Sequence, residues 1–368
     1  MISRAHKIKL KPNKAQAIML AKTAGTARYA YNWGLAKWDE LYEQGQRCSW
    51  MELSRLWTSE RPDWSKETYR GSQTTALRRL GGAYNAFFRG ASKHPTFHKK
   101  GLRDGFYVDN THARLYGNKI HLPNIGRVRM TETLRYDDCK VMSFNVKHQA
   151  DGWYVVIQVE LEEERRTESD SFVGVDVGCT TLATASDGTI CESPGKLKAL
   201  ERQLKRRQRL LARKQKGSRN RAKARNLVAK TWQRIDNIKQ DTVHKFTATI
   251  AKNHGTVCIE KLDVKGMQEG QNKYVRKGVQ ASCMSEILRQ LKYKCNNFIE
   301  VDKWFPSSKT CSTCGHINAE LTLADRTYNC PGCGHTINRD LNAALNLRKE
   351  GLRIYTVGHT GSACGAAR

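Results

Sequence analysis

The chain has 368 residues and a formal charge of +29, from 64 Lys and Arg against 35 Asp and Glu. That length accommodates two or three compact modules, and a charge excess of this size opposes compaction unless a polyanion offsets it, which points to nucleic acid ahead of a membrane surface. No apolar run approaches the roughly 18 residues of a membrane span and no apolar signal segment follows the charged start, so membrane-spanning and secreted classes are disfavoured.

Residues 1–10 alternate basic and apolar (Lys7, Ile8, Lys9, Leu10), the pattern of a strand ending at Pro12. From Lys14 to about Arg89 the pattern is helical, with Ile18, Leu20, Tyr29, Tyr31, Trp33, Leu35, Trp38 and Leu41 supplying apolar faces. Ser49, with Glu52 three residues on, reads as a capping box that opens another helix. Leu77, Leu80, Tyr84 and Phe87 continue the helical spacing. Most of these aromatics are expected in a core, with a minority free to stack on bases. The basic, proline-bearing SKHPTFHKKG (92–101) reads as a linker or a phosphate-contacting loop. Short extended runs then follow (FYVDN, ARLYGNKIHL, GRVRM, VMSFNVKH, WYVVIQVEL), which argue for a small barrel or sandwich. If strand 1–10 joins it, the helical segment is an insertion between two parts of one β domain. The charged run 162–171 reads as a linker.

In FVGVDVGCTTLATASDG, Val173, Val175 and Val177 alternate with Gly174, Asp176 and Gly178, which predicts a strand with a carboxylate on the face opposite its valines. The flanking glycines leave room for close approach to the backbone. A second run, Leu182–Ser186, turns at Asp187-Gly188, a hairpin signal. On this stretch alone, a functional Asp176 and an edge-strand Asp facing water are equally open. Next comes a basic helical pair with an apolar stripe (Leu197, Leu200, Leu204, Leu211). Around it lie Lys205, Arg206, Arg207, Arg209, Arg213, Lys214, Arg219 and Arg221. From Lys196 to Arg234 the only acid is Glu201, whereas a merely solvated face interleaves both signs. These cations are therefore candidates for phosphate-backbone contact, which positions without specifying sequence. Residues 265–283 read as a mobile, basic, Gly-bearing loop.

The twelve cysteines are scattered apart from Cys311-x₂-Cys314 and Cys330-x₂-Cys333, fifteen residues between the pairs. That is four-cysteine zinc spacing in a chain that otherwise lacks a disulfide framework, so a reducing, cytoplasmic compartment is expected. Four thiolates leave no open position, so one structural Zn²⁺ is expected. Three further carboxylates have suggestive settings: Asp176, Glu260 closing the strand TVCIE, and Asp340 before the helical LNAALNL, whose Leu341, Ala344 and Leu345 share a face. Together they can hold Mg²⁺ or Mn²⁺ through oxygen, and their mutual repulsion would require a cation.

GVDVG with TTLATASDG, IEKLDVKGM, FPSSKTCSTCG and NRDLNAALNL, together with the opening KIKLKPNKAQAIMLAKTAGTARYAYNWGL, resembles the successive motifs of the TnpB family. These are transposon-encoded, RNA-guided DNA nucleases related to type V CRISPR effectors. The resemblance runs nearly end to end. It departs from the pattern at Thr180-Thr181 and at Asn296-Asn297, where a glycine is frequent. It implies a multidomain α+β chain. A β-barrel wedge domain (1–12 and 102–165) would carry an inserted helical recognition domain (13–101). A RuvC, ribonuclease-H-like nuclease domain (166–305 and 335–368) would follow, with a zinc ribbon inserted at 306–334. Asp176, Glu260 and Asp340 would hold two Mg²⁺ or Mn²⁺ ions, roughly 3.5–4 Å apart in such sites. The implied partners are a guide RNA and duplex target DNA, with one protein chain in complex with RNA. The guide would supply target sequence while the protein reads a short adjacent DNA motif. A DNA strand-transferring transposase on the same fold, and an RNA-guided repressor that does not cut, are the competing readings.

Overall fold

The computed structural model describes residues 2–101, 104–162, 171–264, 266–269, 272–322 and 325–363. The chain forms two compact units, Met1–Glu164 and Arg165–Arg368. The linker expected at 162–171 falls almost wholly outside the described residues. No helix among the described residues is long and apolar enough to cross a membrane.

In the first unit, strand β1 (Ile2–Lys11) is central. It pairs antiparallel with β7 (Gly152–Leu161) along most of its length and with β5 (Gly126–Met130) at its end. With β2 (Gly105–Asp109), β3 (Arg114–Tyr116), β4 (Lys119–Leu122) and β6 (Lys140–Gln149), the order is β2-β6-β7-β1-β5-β4-β3. The basic/apolar alternation of β1 is realised, with Ile8 and Leu10 buried and Lys7 exposed. Helix α1 (Lys14–Glu43) opens on a reciprocal capping box between Asn13 and Gln16. Its first half (Leu20, Ala24, Ala27) packs in one core with Ile8, Leu122, Val128 and Phe144 of the sheet. Its second half (Tyr31, Leu35, Trp38) packs with α2 (Trp50–Glu60) and α3 (Arg70–Phe88) through Leu53, Trp57, Leu77 and Tyr84. At Ser49 only half of the expected box forms. The hydroxyl accepts from Glu52 N at 3.2 Å, while the Glu52 carboxylate lies 3.6 Å from Arg55.

The second unit is built on a five-stranded sheet in the order β10-β9-β8-β11-β12. Strand β8 (Phe172–Asp176) pairs antiparallel with β9 (Ala183–Ala185), which pairs with β10 (Ile190–Cys191) across the Asp187-Gly188 turn. On its other side β8 runs parallel to β11 (Thr256–Glu260), and β11 parallel to β12 (Asn297–Val301). Strand β8 is thus central, and the edge-strand reading of Asp176 does not apply. One face, through Val173, Val175, Val257 and Ile259, packs on α5 (Arg219–Asn253) and α7 (Met284–Lys294), burying Val243, Phe246, Ile250 and Ile287. The remaining elements of this unit are α4 (Lys196–Ala212), α6 (Lys273–Ala281), the zinc-loop strands β13 (Thr327–Asn329) and β14 (Thr336–Asn338), and α8 (Arg339–Ala363).

Helix α8 covers the opposite face of the sheet, and two glycines let it lie close. A Cβ added at Gly174 would stand 1.9 Å from the Ala344 carbonyl oxygen, and one at Gly351 would stand 2.1 Å from Cys258 Sγ. The glycine before Asp176 therefore admits this helix. Asn342, Ala343, Ala344, Asn346, Leu347 and Gly351 are buried on it, whereas Leu341 and Leu345 are only half-buried. Of the apolar face expected from Leu341, Ala344 and Leu345, Ala344 is buried as expected, and the two leucines are turned partly outward where the buried asparagines bond to another segment.

The Gly174 contact gives a direct test. Gly174→Ala should destabilise the chain by at least the ~1–3 kcal/mol typical of overpacking, since backbone atoms cannot yield as a flexible side chain can. Gly195→Ala, where an added Cβ meets nothing within 4 Å, should be close to neutral in the same thermal-unfolding measurement.

Candidate active site and metal centre

Asp176 closes β8 and Glu260 closes β11. The parallel register Val175↔Ile259 sets these two carboxylates side by side at the C-terminal ends of neighbouring strands, which lie ~4.8 Å apart. Such ends are where open α/β sheets place their ligand sites. Asp340 lies in the first turn of α8, capped by Asn338 Oδ1, which accepts from Asp340 N (3.0 Å) and Leu341 N (3.1 Å). Ala344, over Gly174, is one turn (~6 Å) beyond Asp340, and Asp176 is two strand residues (~6.6 Å) beyond Gly174. The glycine contact therefore brings Asp340 toward Asp176.

The electrostatics agree with that placement. Burial, then the Asp340 charge, then the Glu260 charge push the Asp176 carboxyl up to about 7, with Arg339 acting the other way. Burial also raises Glu260. Arg339 Nε lies 3.9 Å from Asp340 Oδ1. Asp176 thus feels two other carboxylates against one guanidinium, which leaves excess negative charge at a half-buried site, and this donor set suits a hard divalent cation.

The four cysteines also come together. All their sulfurs lie within 4.8 Å of one another, with Cys311–Cys333 at 3.8 Å and Cys314–Cys330 at 3.5 Å. A tetrahedron of Zn–S bonds of about 2.3 Å spaces its sulfurs by ~3.8 Å, so the cluster fits one zinc ion. Each pair is a tight knuckle. Gly315 N donates to Cys311 O (3.0 Å) and Gly334 N to Cys330 O (2.9 Å), with both glycines at positive φ (78° and 72°). Burial disfavours the Cys311 thiolate, yet backbone donors at Cys314 and Thr313 and the neighbouring thiols bring it down to about 6. The loop is fastened to α8 by two buried asparagines. Asn342 donates to Thr310 O (2.7 Å) and accepts from Ser312 N (2.9 Å), and Asn346 donates to Ser307 O (2.8 Å) and Thr310 O (2.6 Å). Sequence reading missed both asparagines. Their spacing of four on a helix of buried residues was the available signal.

Helices α4 and α5 form a hairpin whose stripe of Leu197, Leu204 and Ile235 is buried, with Leu200 alongside. Of the eight candidate cations, Lys205, Arg206, Arg209, Arg213, Lys214 and Arg219 are exposed, and none joins an ion pair among the described residues. The other two bond within the hairpin. Arg207 donates to Leu227 O (3.3 Å) and Thr231 Oγ1, and Arg221 to Leu211 O (3.0 Å) and Lys214 O (2.7 Å). The expected loop at 265–283 is largely structured, with a 3-10 turn at Gly266–Gln268 and α6 following. Gly278 of α6 lies close to Cys179, three residues past Asp176. Lys265, the side chains of Lys273, Lys277 and His359, and Cys364 lie outside what is described.

Two measurements follow from this geometry. The protein should carry about one zinc per chain, and Cys311→Ser should open the 306–334 loop to proteolysis and loosen Asp340 with it, because zinc binding and local folding are coupled. The proton on Asp176 is held more tightly in the folded state than at its ordinary 3.8, so its stabilising contribution is complete below that pH and lost as pH rises through about 7. In chelator, Asp176→Asn should therefore gain thermal stability over wild type near pH 8, and that gain should vanish toward pH 4.

Three family models match. One described as "Probable transposase" covers residues 156–271, "Cas12f1-like, TNB domain" covers 285–347, and "Helix-turn-helix domain" covers 1–47. Within 1–47 the structure has β1 followed by one 30-residue helix rather than two helices joined by a turn. The "Putative RNA-guided DNA endonuclease InsQ" of Escherichia coli (strain K12) is 31% identical over 98% of this chain and 94% of its own length. A "Putative RNA-guided DNA endonuclease" of Streptomyces pristinaespiralis is 30% identical over 99% and 91%. The fold is shared with the Cas12f1 chain of a Cas12f1-sgRNA-target DNA complex, at 14% identity, 91% and 82% coverage and a TM-score of 0.55. With 31% identity spanning almost the whole chain and a four-cysteine cluster in the region of the TNB-domain match, this chain belongs to the TnpB family.

Proposed function

We propose that this chain is an RNA-guided, metal-dependent DNA endonuclease encoded by a transposon. The observation that carries the reading is that Asp176 and Glu260 end neighbouring parallel strands of a sheet ordered β10-β9-β8-β11-β12, with the Asp340 and Glu260 charges both raising the Asp176 carboxyl. Two antiparallel strands added to one side of three parallel ones is the order of a ribonuclease-H-like, RuvC-type nuclease core. The relatives named RNA-guided DNA endonucleases support the same assignment. In this reading residues 166–305 and 335–368 are the nuclease, 306–334 its zinc insertion, 1–12 and 102–165 a β-barrel wedge, and 13–101 a helical recognition segment.

Two Mg²⁺ or Mn²⁺ ions held there would supply Lewis acidity for a water nucleophile and for the leaving oxygen of a phosphodiester. The chain's own residues do the rest. Asp176, Glu260 and Asp340 would hold these ions through their carboxylate oxygens. Arg339 limits the repulsion among them before metal binds. The exposed cations of α4 and α5 hold the phosphate backbone of the guide RNA or its heteroduplex with DNA, and sequence is left to base pairing.

Two experiments check this. Asp176→Ala should retain RNA and target-DNA binding while cutting falls by several orders of magnitude, and wild-type cutting should need a matched guide with Mg²⁺ or Mn²⁺ and fail in Ca²⁺ or chelator. Joining of DNA ends without RNA would instead favour a transposase, and guided binding without any cut a repressor. Replacing Arg206, Arg209 and Arg213 with Gln should weaken RNA binding about equally across sequences. It should also flatten the salt dependence by up to ~0.7–0.9 of a log unit per lost phosphate contact. Arg207→Gln should instead lower the stability of the hairpin.

A further inference from the structure

The turn that leaves β12 displays a tryptophan that packs on almost nothing. Trp304 is 80% exposed, the most exposed of the chain's eight tryptophans. The turn itself is well bonded. Trp304 N donates to Asp302 Oδ1 (2.8 Å), Phe305 N to Asp302 O (3.1 Å) and Ser307 N to Phe305 O (2.7 Å). Ser307 O accepts in turn from the buried Asn346 side chain of α8 (2.8 Å). A braced turn with an indole in water fits an aromatic kept for an outside partner, since an unconstrained chain would bury it. Lys303 Nζ lies 4.8 Å from the indole centroid, and Lys261, at the end of the neighbouring strand, is exposed.

Its position relates it to the acidic site. Val301 is the register partner of Glu260, and Lys261 N donates to Val301 O (2.8 Å). Trp304 is three residues beyond Val301, at most ~10 Å of chain, and neighbouring strands are ~4.8 Å apart. Its backbone is therefore within ~15 Å of Glu260, at the carboxylate end of the sheet. A nucleic-acid strand spans that distance in about four nucleotides or fewer, at 3.4 Å or more each.

We propose that Trp304 is a stacking platform for a nucleobase of the DNA strand being cut, within about four nucleotides of the scissile phosphate, with Lys303 and Lys261 facing its phosphates. The proposal rests on the nuclease reading above. An aromatic face beside cations accepts any base, which is how single-stranded nucleic acid is held without sequence preference. It would position the strand at the acids and leave sequence to the guide. A protein partner on the same indole is the competing occupant, but the flanking lysines and the charge of +29 favour a polyanion.

The test uses the full-length protein loaded with guide RNA and carrying Asp176→Ala, so that bound target DNA stays intact. 2-Aminopurine is moved through the target and non-target strands one position at a time. At one position its fluorescence should be quenched on binding. Adding Trp304→Ala should abolish that quenching and weaken binding of single-stranded DNA by about five- to hundredfold, while Trp304→Phe should keep most of both. Thermal unfolding should be unchanged in either variant, because the indole has little packing to lose. If no position responds to Trp304→Ala, the proposal is overturned. Cutting by the wild-type chain is assayed separately, so a chain that stacks but does not cut overturns the nuclease reading, and one that cuts without stacking overturns only this one.

Discussion

The second unit depends on one close contact, the seating of α8 against β8 at Gly174. No side chain fits between the strand and the Ala344 carbonyl, so the helix is fixed in height and rotation on the sheet. Three things then follow from a single helix. Its first turn delivers Asp340 to the pair of strand-end carboxylates. Its middle seals the sheet face through Ala343, Ala344 and Leu347. Its outer asparagines, Asn342 and Asn346, grip the zinc loop. The four-cysteine loop is thus a clamp on the helix that carries Asp340, an acid of the proposed catalytic site.

The charge distribution sets two opposed requirements. A chain of +29 draws in polyanions, yet its candidate active site concentrates three carboxylates that repel a phosphate. A divalent cation would reconcile them under the proposed function, because it would turn this acidic spot into one that accepts a phosphodiester. The raised Asp176 carboxyl expresses the same conflict in the metal-free protein. The site is built at the expense of local stability, as functional sites with perturbed acids commonly are.

What could be read from the sequence divides along the reach of each signal. The alternation around Asp176, the CxxC pairs and the start of the Asp340 helix are local patterns, and each sits where its period or spacing put it. Gly174 was legible only as room for something, since its partner lies about 170 residues downstream. The roles of Asn342 and Asn346 were not legible because their acceptors belong to a distant loop. The glycines and lysines of 265–283 suggested a loop, whereas Lys273–Ala281 within it is helical. Composition marked Arg207 and Arg221 like the cations around them. Only the folded hairpin distinguishes the two that bond to its backbone.

The central claim is that these three carboxylates present metal to a scissile phosphate. The most direct measurement replaces one nonbridging oxygen of that phosphate with sulfur in guide-matched DNA. Sulfur binds Mg²⁺ poorly and softer ions well. Cutting of one phosphorothioate isomer should collapse in Mg²⁺ and recover in Mn²⁺, with no recovery in Asp176→Ala. Equal cutting of both isomers in Mg²⁺, or the same loss in Mg²⁺ and Mn²⁺, would contradict metal contact at this site.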